Sequence, residues 1–254
     1  MTNTNHEAAT MSTQPGRSQP RDEHQPAGTV GTDDALAARL RAHVEAADFP
    51  CVGAKAALAR DALEVHVFGL LGARANDGPL LDRIVRFARQ RDQDAPDDTT
   101  VHSLAAVFEG PRDTDEHRFE ALLWSQLQRL HLLDVRRGAR WARDVSQDPD
   151  SPKFSLSLGG HPFFVIGLHA GASRRARRTP FPVLVFNSHR QFDRLREDGR
   201  YAKMQAATRA RDLALQGSIN PNLADFGTAP ETRQYSGRAV EADWRCPFHA
   251  SKGR

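Results

Sequence analysis

Cysteine is scarce in this chain, with two residues among 254. Cys51 and Cys246 are too few for a disulfide framework and too far apart in sequence for a C-x-x-C zinc motif. A zinc site would require the fold to bring both thiols to two histidines. This cysteine usage favours a reducing compartment, so we expect a cytoplasmic protein.

Long apolar runs are also missing. No segment approaches the roughly 18 apolar residues that a membrane-spanning helix needs, so we expect no membrane partner. The first residues lack the apolar stretch of a secretory signal and are rich in Thr, Gln, Pro and Asp. Such a composition cannot bury enough apolar surface to become ordered. We therefore predict a disordered tail over 1–34 and one domain over 35–254.

Several motifs of common enzymes are absent. The chain has no G-x-x-x-x-G-K-[ST] phosphate loop, no G-x-G-x-x-G after a strand, no G-x-S-x-G and no H-E-x-x-H. Nucleotide-loop, serine-hydrolase and zincin chemistry are therefore not indicated by any local pattern.

Charge is concentrated at one place. The formal net charge is +3; residues 1–34 hold five acids and two bases, a net charge of −3, which leaves +6 for the remainder. Most bases are interleaved with acids, so we expect no nucleic-acid partner. Only 173–178, SRRARR, forms a dense patch. Guanidinium groups make forked bonds to carboxylates and phosphates, although a solvated surface loop is an equally good interpretation.

Helical and strand periodicities alternate irregularly along the chain. This order favours the α+β class: a single domain with a mixed β-sheet flanked by helices. The predicted helices are 35–48, capped by Asp34, then 55–63, 79–91, a long helix capped by Thr114, 191–199 and 201–216. The predicted strands are 64–68, 101–108, a half-buried strand at 154–158, and two buried strands at 162–166 and 180–186.

Three histidines lie beside the two buried strands. His161 precedes the first strand, His169 follows it, and His189 follows the second. Side chains at strand ends are where sites are often built, and imidazole is both a metal ligand and a proton carrier near neutral pH. Three of them beside the arginine patch predict one site, whereas each alone is consistent with a hydrogen-bonded loop histidine.

The chain resembles the YqcI/YcgG family in a series of collinear motifs. These are FPCVGAK at 49–55, PFFVIGLH at 162–169, SRRARR at 173–178, VLVFNSHRQF at 183–192, RDLALQGSINPNL at 211–223, QYSGRAV at 234–240 and WRCPF at 244–248. The resemblance implies a haem-dependent oxygenase that N-hydroxylates a guanidino compound, arginine or an arginine-derived metabolite, in small-molecule biosynthesis. The branch resembled most is the guanitoxin-biosynthesis type. Haem b, dioxygen and an external electron donor are the implied cofactor and partners, and a homodimer is an allowed assembly.

Within this resemblance the residues receive roles. His169 is the expected iron ligand, His189 the catalytic proton donor, and Glu109 the carboxylate for the guanidinium, with Glu231 second. The remaining haem-binding expectations are His161, Arg174, Arg175, Arg178, Phe164 and Arg238, where arginines suit propionates and the aromatic ring suits a porphyrin face.

Three alternatives stay open from the residues themselves. In the first, His189 rather than His169 is the iron ligand. In the second, Cys246 ligates the iron as a thiolate, although a buried structural cysteine is the simpler interpretation. The third is a non-catalytic haem- or anion-binding protein that uses the same arginine patch.

Overall fold

The computed structural model describes residues 30–95, 97–224 and 227–251. The helices are α1 (Val30–Glu45), α2 (Val52–Ala59), α3 (Asp77–Arg91), α4 (Glu116–Arg136), α5 (His189–Glu197), α6 (Arg200–Gln216) and α7 (Thr232–Tyr235). The strands are β1 (Leu63–Leu70), β2 (Ser103–Gly110), β3 (Leu156–Leu158), β4 (His161–Leu168) and β5 (Val183–Ser188). Short 3-10 turns lie at Arg74–Asn76 and Arg175–Arg177.

The five strands form one sheet in the order β1-β2-β5-β4-β3. Strands β1 and β2 are parallel, whereas the other three pairings are antiparallel. The predicted α+β domain with a mixed sheet flanked by helices is therefore confirmed. Of the helices that the structure describes, none combines the length and apolar character needed to cross a bilayer.

Alternating side chains of the sheet build two apolar cores. On β2, Leu104, Ala106 and Phe108 pack on one face, together with α3, α4 and the 244–250 segment. Ala105 and Val107 point to the other face, where α1 and α2 pack. This alternation follows from the two-residue period of a strand, and it places helices on both sides of the sheet.

Two helix starts differ from the prediction. Helix α1 begins at Val30 rather than after Asp34, so residues 30–34, which we predicted as tail, are helical, with Asp33 in the first turn, where an acid is favourable. Residues 1–29 of the predicted tail lie outside the described residues. Helix α4 is capped by Asp115, whose carboxylate accepts from the Arg118 amide at 2.7 Å, and not by Thr114.

The segment at 52–63 and the strand predicted at 154–158 also differ from the prediction. Cys51 caps α2 by accepting from the Ala54 amide at 3.4 Å, so the helix starts before the predicted 55 and ends at Ala59. The serines at 155 and 157 are buried, which makes the predicted half-buried strand wrong. Ser157 tolerates burial because its hydroxyl accepts from the Ala142 amide at 2.9 Å.

Candidate functional site

A cavity of about 320 Å³ lies on the sheet face that carries α1 and α2. Its floor is apolar and comes from the sheet, with Phe164, Ile166 and Val185 among its lining residues. Helices α1, α2, α5 and α6 contribute to the walls, together with residues from 220–224 and 229–234. Its volume is in the range of small-molecule sites. We therefore treat it as the candidate site.

The three histidines do not meet at this cavity. Strands β4 and β5 are antiparallel, with Phe163 opposite Ser188 and Leu168 opposite Val183. His161 and His189 therefore lie at one end of this strand pair, and His169 at the other, roughly 20 Å away by strand rise. The predicted convergence of all three on one pocket is wrong, because His161 and His169 flank the same strand and the antiparallel pairing of β5 places His189 at the His161 end.

His169 is enclosed behind the sheet end. It is 1% exposed, and its ring stacks on Phe119 of α4 with 4.2 Å between the ring centroids and an angle of 13°. Burial lowers the pKa of His169, and the negative charge of Glu116 opposes that shift. It does not line the cavity. The structure thus places the expected iron ligand outside the cavity, against Phe119.

His161 is fully buried at the start of β4. Its Nδ1 lies 2.6 Å from Asp92 Oδ1 and its Nε2 lies 2.8 Å from the Ser188 hydroxyl, so both ring nitrogens are engaged. Burial lowers the pKa of His161 below its ordinary value, and the hydrogen bond to Asp92 only partly offsets this shift. This histidine ties β4 to the end of β5, immediately before His189.

His189 lines the cavity from the first position of α5. Its Nδ1 lies 3.3 Å from the carboxylate of Asp193, one helical turn later, and its Nε2 lies 3.8 Å from Glu231 Oε2. The i, i+4 spacing of His189 and Asp193 is a helical signal that the sequence contained. The pairing with Glu231 has no such local signal.

Glu231 is a buried carboxylate in the cavity wall. Tyr235 donates its phenolic proton to Glu231 Oε1 at 2.5 Å. Burial raises the pKa of Glu231 to about 7, whereas the positive charge of His189 lowers it. Glu109, our first choice for the guanidinium, is exposed at the end of β2 and does not line the cavity. The second choice is the one that the fold places at the site.

The four arginines of 173–178 diverge. Arg174 pairs with Asp212 of α6 and donates to the Ser218 carbonyl at 2.8 Å. Arg177 donates to the carbonyls of Gly167 at 3.0 Å and of Gln234 at 3.1 Å. These two guanidinium-bearing residues line the cavity.

The other two predicted arginines, Arg175 and Arg178, do not line the cavity. They bond instead to the carbonyls of Leu215 at 3.1 Å and of Ala172 at 2.7 Å. The patch therefore holds its own loop against α6 and contributes half of its cations to the site.

Arg177 differs from Arg174 in lacking a carboxylate partner. Within 30–95, 97–224 and 227–251, no acid lies at ion-pair distance from it, and Asp212 acts on it only from farther away. Burial lowers the pKa of Arg177 to about 10, so it remains charged at neutral pH. Among the residues that the structure describes, no acid forms an ion pair with this cation of the cavity.

The two remaining predicted residues, Phe164 and Arg238, lie in different parts of the structure. Phe164 lines the cavity, with its ring edge-on to Tyr235 at a centroid distance of 5.7 Å. Arg238 is buried elsewhere in ion pairs with Glu120 and Glu241, both at 2.8 Å, and joins α4 to the C-terminal segment.

The two cysteines lie in different cores, so they do not form a zinc site together. Cys51 packs against the α1–α2 core and lines the cavity, whereas Cys246 is part of the α3–α4 core. Burial raises the pKa of Cys246 to about 12, so it is a neutral thiol.

The fold and this cavity define a mixed-sheet α+β protein with a small cavity whose lining includes Glu231 and Arg177. The model of the YqcI/YcgG family matches residues 40–249, and the chain belongs to that family. It is similar to the Bacillus subtilis (strain 168) protein named Uncharacterized protein YqcI, with 27% identity over 220 residues, which cover 80% of this chain and 82% of the relative. No solved structure matches the chain significantly.

Proposed function

We propose that this chain N-hydroxylates a guanidino compound, arginine or a metabolite derived from it, as a haem-dependent oxygenase. The charge arrangement of the cavity supports the substrate half of this proposal. The resemblance to haem-dependent members of the family supports the oxygenase half.

The observation that carries the proposal is the isolated carboxylate at one end of the cavity. Glu231 is buried, and among the described residues no Arg or Lys forms an ion pair with it; His189 Nε2 lies 3.8 Å from its Oε2. A buried charge is costly unless it is paired. A guanidinium would supply the missing counter-charge through a forked pair of hydrogen bonds.

The other end of the cavity has the opposite polarity. Arg177 binds the Gly167 carbonyl, four residues along β4 from Phe163. The Phe163 carbonyl oxygen lies 3.1 Å from the Tyr235 hydroxyl oxygen, which donates its proton to Glu231. Four residues of strand span roughly 13 Å. This distance suits an extended arginine whose guanidinium contacts Glu231 and whose carboxylate contacts Arg177. The apolar floor between the two ends suits its methylene chain.

The described residues do not form the haem site that the resemblance implied. His169, Arg175 and Arg178 do not line the cavity, and about 320 Å³ accommodates a molecule of the size of arginine but not that molecule together with a porphyrin. Haem would supply iron for the activation of dioxygen. Whether the protein binds haem is tested separately, by following the Soret band.

The chain's own residues would bind the substrate, orient it and exchange a proton with it. Glu231 and Arg177 fix the two ends of the substrate, and the apolar walls exclude water from the guanidine. His189 lies beside Glu231 with Asp193 behind its Nδ1, so it can hold or move a proton at its Nε2 next to the guanidine nitrogen.

The proposal is tested by separating binding from turnover. Purified protein is titrated with arginine and, in parallel, with citrulline, which keeps the amino-acid end but replaces the guanidinium by a neutral urea. We expect saturable binding of arginine, much weaker binding of citrulline, and loss of arginine binding in Glu231→Gln but not in Glu109→Gln.

Turnover is then measured on protein that has been titrated with hemin while a Soret band is followed. With dioxygen and a reductant, the expected product is arginine with one added oxygen atom on a guanidine nitrogen, detected by mass spectrometry. If arginine binds but neither a Soret band nor a product is observed, the protein is a guanidine-binding module and not an oxygenase. Equal binding of citrulline and arginine would overturn the substrate assignment.

A further inference from the structure

A second concave surface lies on the side of the molecule formed by α3 and the end of α4. It is a depression of about 880 Å³, and it shares no lining residue with the cavity at His189. Its wall carries six arginines and three aspartates: Arg86, Arg89, Arg137, Arg140, Arg143, Arg190, Asp82, Asp134 and Asp144.

The aspartates neutralise only part of this charge. Asp82 pairs with Arg137 at 2.6 Å, and Asp144 pairs with Arg190 at 2.9 Å. Asp134 is buried, accepts from the Gly159 amide at 2.8 Å, and has a pKa that burial raises.

The other four arginines, Arg86, Arg89, Arg140 and Arg143, are exposed and form no ion pair with any described residue. Four guanidinium groups around one depression are therefore available to an external anion.

The backbone brings these arginines together from two segments. Arg86 and Arg89 lie on α3, whereas Arg140 and Arg143 lie on the loop after α4. The Gly159–Gly160 turn lines the depression as well, with φ of 61° and 75°. A Cβ at Gly159 would lie 3.1 Å from the Val85 side chain, so the close approach of this turn to α3 requires glycine.

We propose that this depression binds a small polyanion, a molecule that carries two or more phosphate or carboxylate groups close together. Arginine forks match such oxyanions, and a concave site with guanidinium groups on two sides can contact several of them at once. A depression of this volume fits a small molecule better than the flat face of a protein partner. This site is independent of the proposed function at His189.

The test is a calorimetric titration of the full chain with three probes: inorganic pyrophosphate, citrate and monophosphate. Pyrophosphate and citrate separate a phosphate ligand from a carboxylate ligand, and monophosphate measures a single oxyanion. We expect saturable binding of one polyanion per chain, tighter than that of monophosphate and weakened by salt.

Two double variants and one matched control locate the binding. Arg86→Ala with Arg89→Ala, and Arg140→Ala with Arg143→Ala, should each weaken polyanion binding by at least about tenfold, because each removes two charge-assisted contacts. Arg83→Ala is the control, since Arg83 is an exposed arginine of α3 that does not line the depression.

Three outcomes would overturn the proposal. They are absence of saturable binding by both polyanions, an equal loss of binding in Arg83→Ala, and binding only to an acidic protein such as a ferredoxin but not to either small polyanion. Thermal unfolding of every variant shows that the fold is retained, which is expected because all five side chains are exposed.

Discussion

Replacing Glu231 by glutamine should stabilise the protein at alkaline pH while it weakens the binding of a guanidine. In the folded chain burial raises the pKa of Glu231 to about 7, against an ordinary value of 4.5. The unfolded chain therefore releases this proton near pH 4.5, and the folded chain keeps it until about pH 7. Folding stability falls as the pH rises between these two values, because the folded state binds more protons there.

The size of the effect follows from the same shift. A difference of roughly 2.5 pKa units at about 1.4 kcal/mol per unit corresponds to about 3 kcal/mol of destabilisation, fully developed above pH 7. In Glu231→Gln the new side chain would carry no charge, and its amide oxygen could accept from the Tyr235 hydroxyl in place of the carboxylate. The variant should thus gain up to about 3 kcal/mol over the wild type at pH 8 and little at pH 4.

The assay is urea unfolding of wild type and Glu231→Gln at both pH values, without ligand. The stability difference between the two proteins is measured at each pH and the two differences are compared, so that titrating groups that do not interact with Glu231 cancel. Glu120→Gln is the matched control, because Glu120 is also buried but pairs with Arg238 at 2.8 Å. This control should destabilise the protein at both pH values, since it removes one of the two carboxylates that pair with the buried Arg238.

The result that would refute this reasoning is a Glu231→Gln variant whose stability relative to the wild type is the same at both pH values. A variant that is less stable than the wild type at pH 8 would equally show that Glu231 is not an unneutralised charge. In either case the argument for a guanidinium at this carboxylate would be lost.

Three further predictions follow from the same contacts. Arg177→Ala should weaken arginine binding by about tenfold but leave the binding of agmatine, which lacks the carboxylate, unchanged. In the control Arg178→Ala, titration with either ligand should give the wild-type affinity. His189→Ala should keep guanidine binding and lose turnover, whereas His169→Ala should keep binding and lower stability by about 2 kcal/mol, seen in urea unfolding. Gly167→Ala should lower the free energy of unfolding by about 2 kcal/mol in the same assay, because its methyl group would lie 2.6 Å from an α4 phenylalanine ring.

Local patterns determined most of the secondary structure. The three-to-four-residue apolar period predicted α3 and α4, and the apolar runs predicted β4 and β5 to within a few residues. The mixed sheet and flanking helices followed from the irregular alternation of these elements. The collinear motifs identified the family, and they included Cys51, Arg177 and His189, which the cavity uses.

Only the tertiary structure decided which of these residues share a site. Local periodicity specifies a strand but not the direction of its neighbour, and the antiparallel pairing of β4 and β5 sent His169 and His189 to opposite ends of the strand pair. Four clustered arginines diverged because each guanidinium found a different carbonyl or carboxylate. Glu231 lies 42 residues beyond His189 in sequence, and the fold placed its carboxylate 3.8 Å from that imidazole. Contacts between such distant segments depend on how the chain folds back over the sheet, which no local pattern encodes.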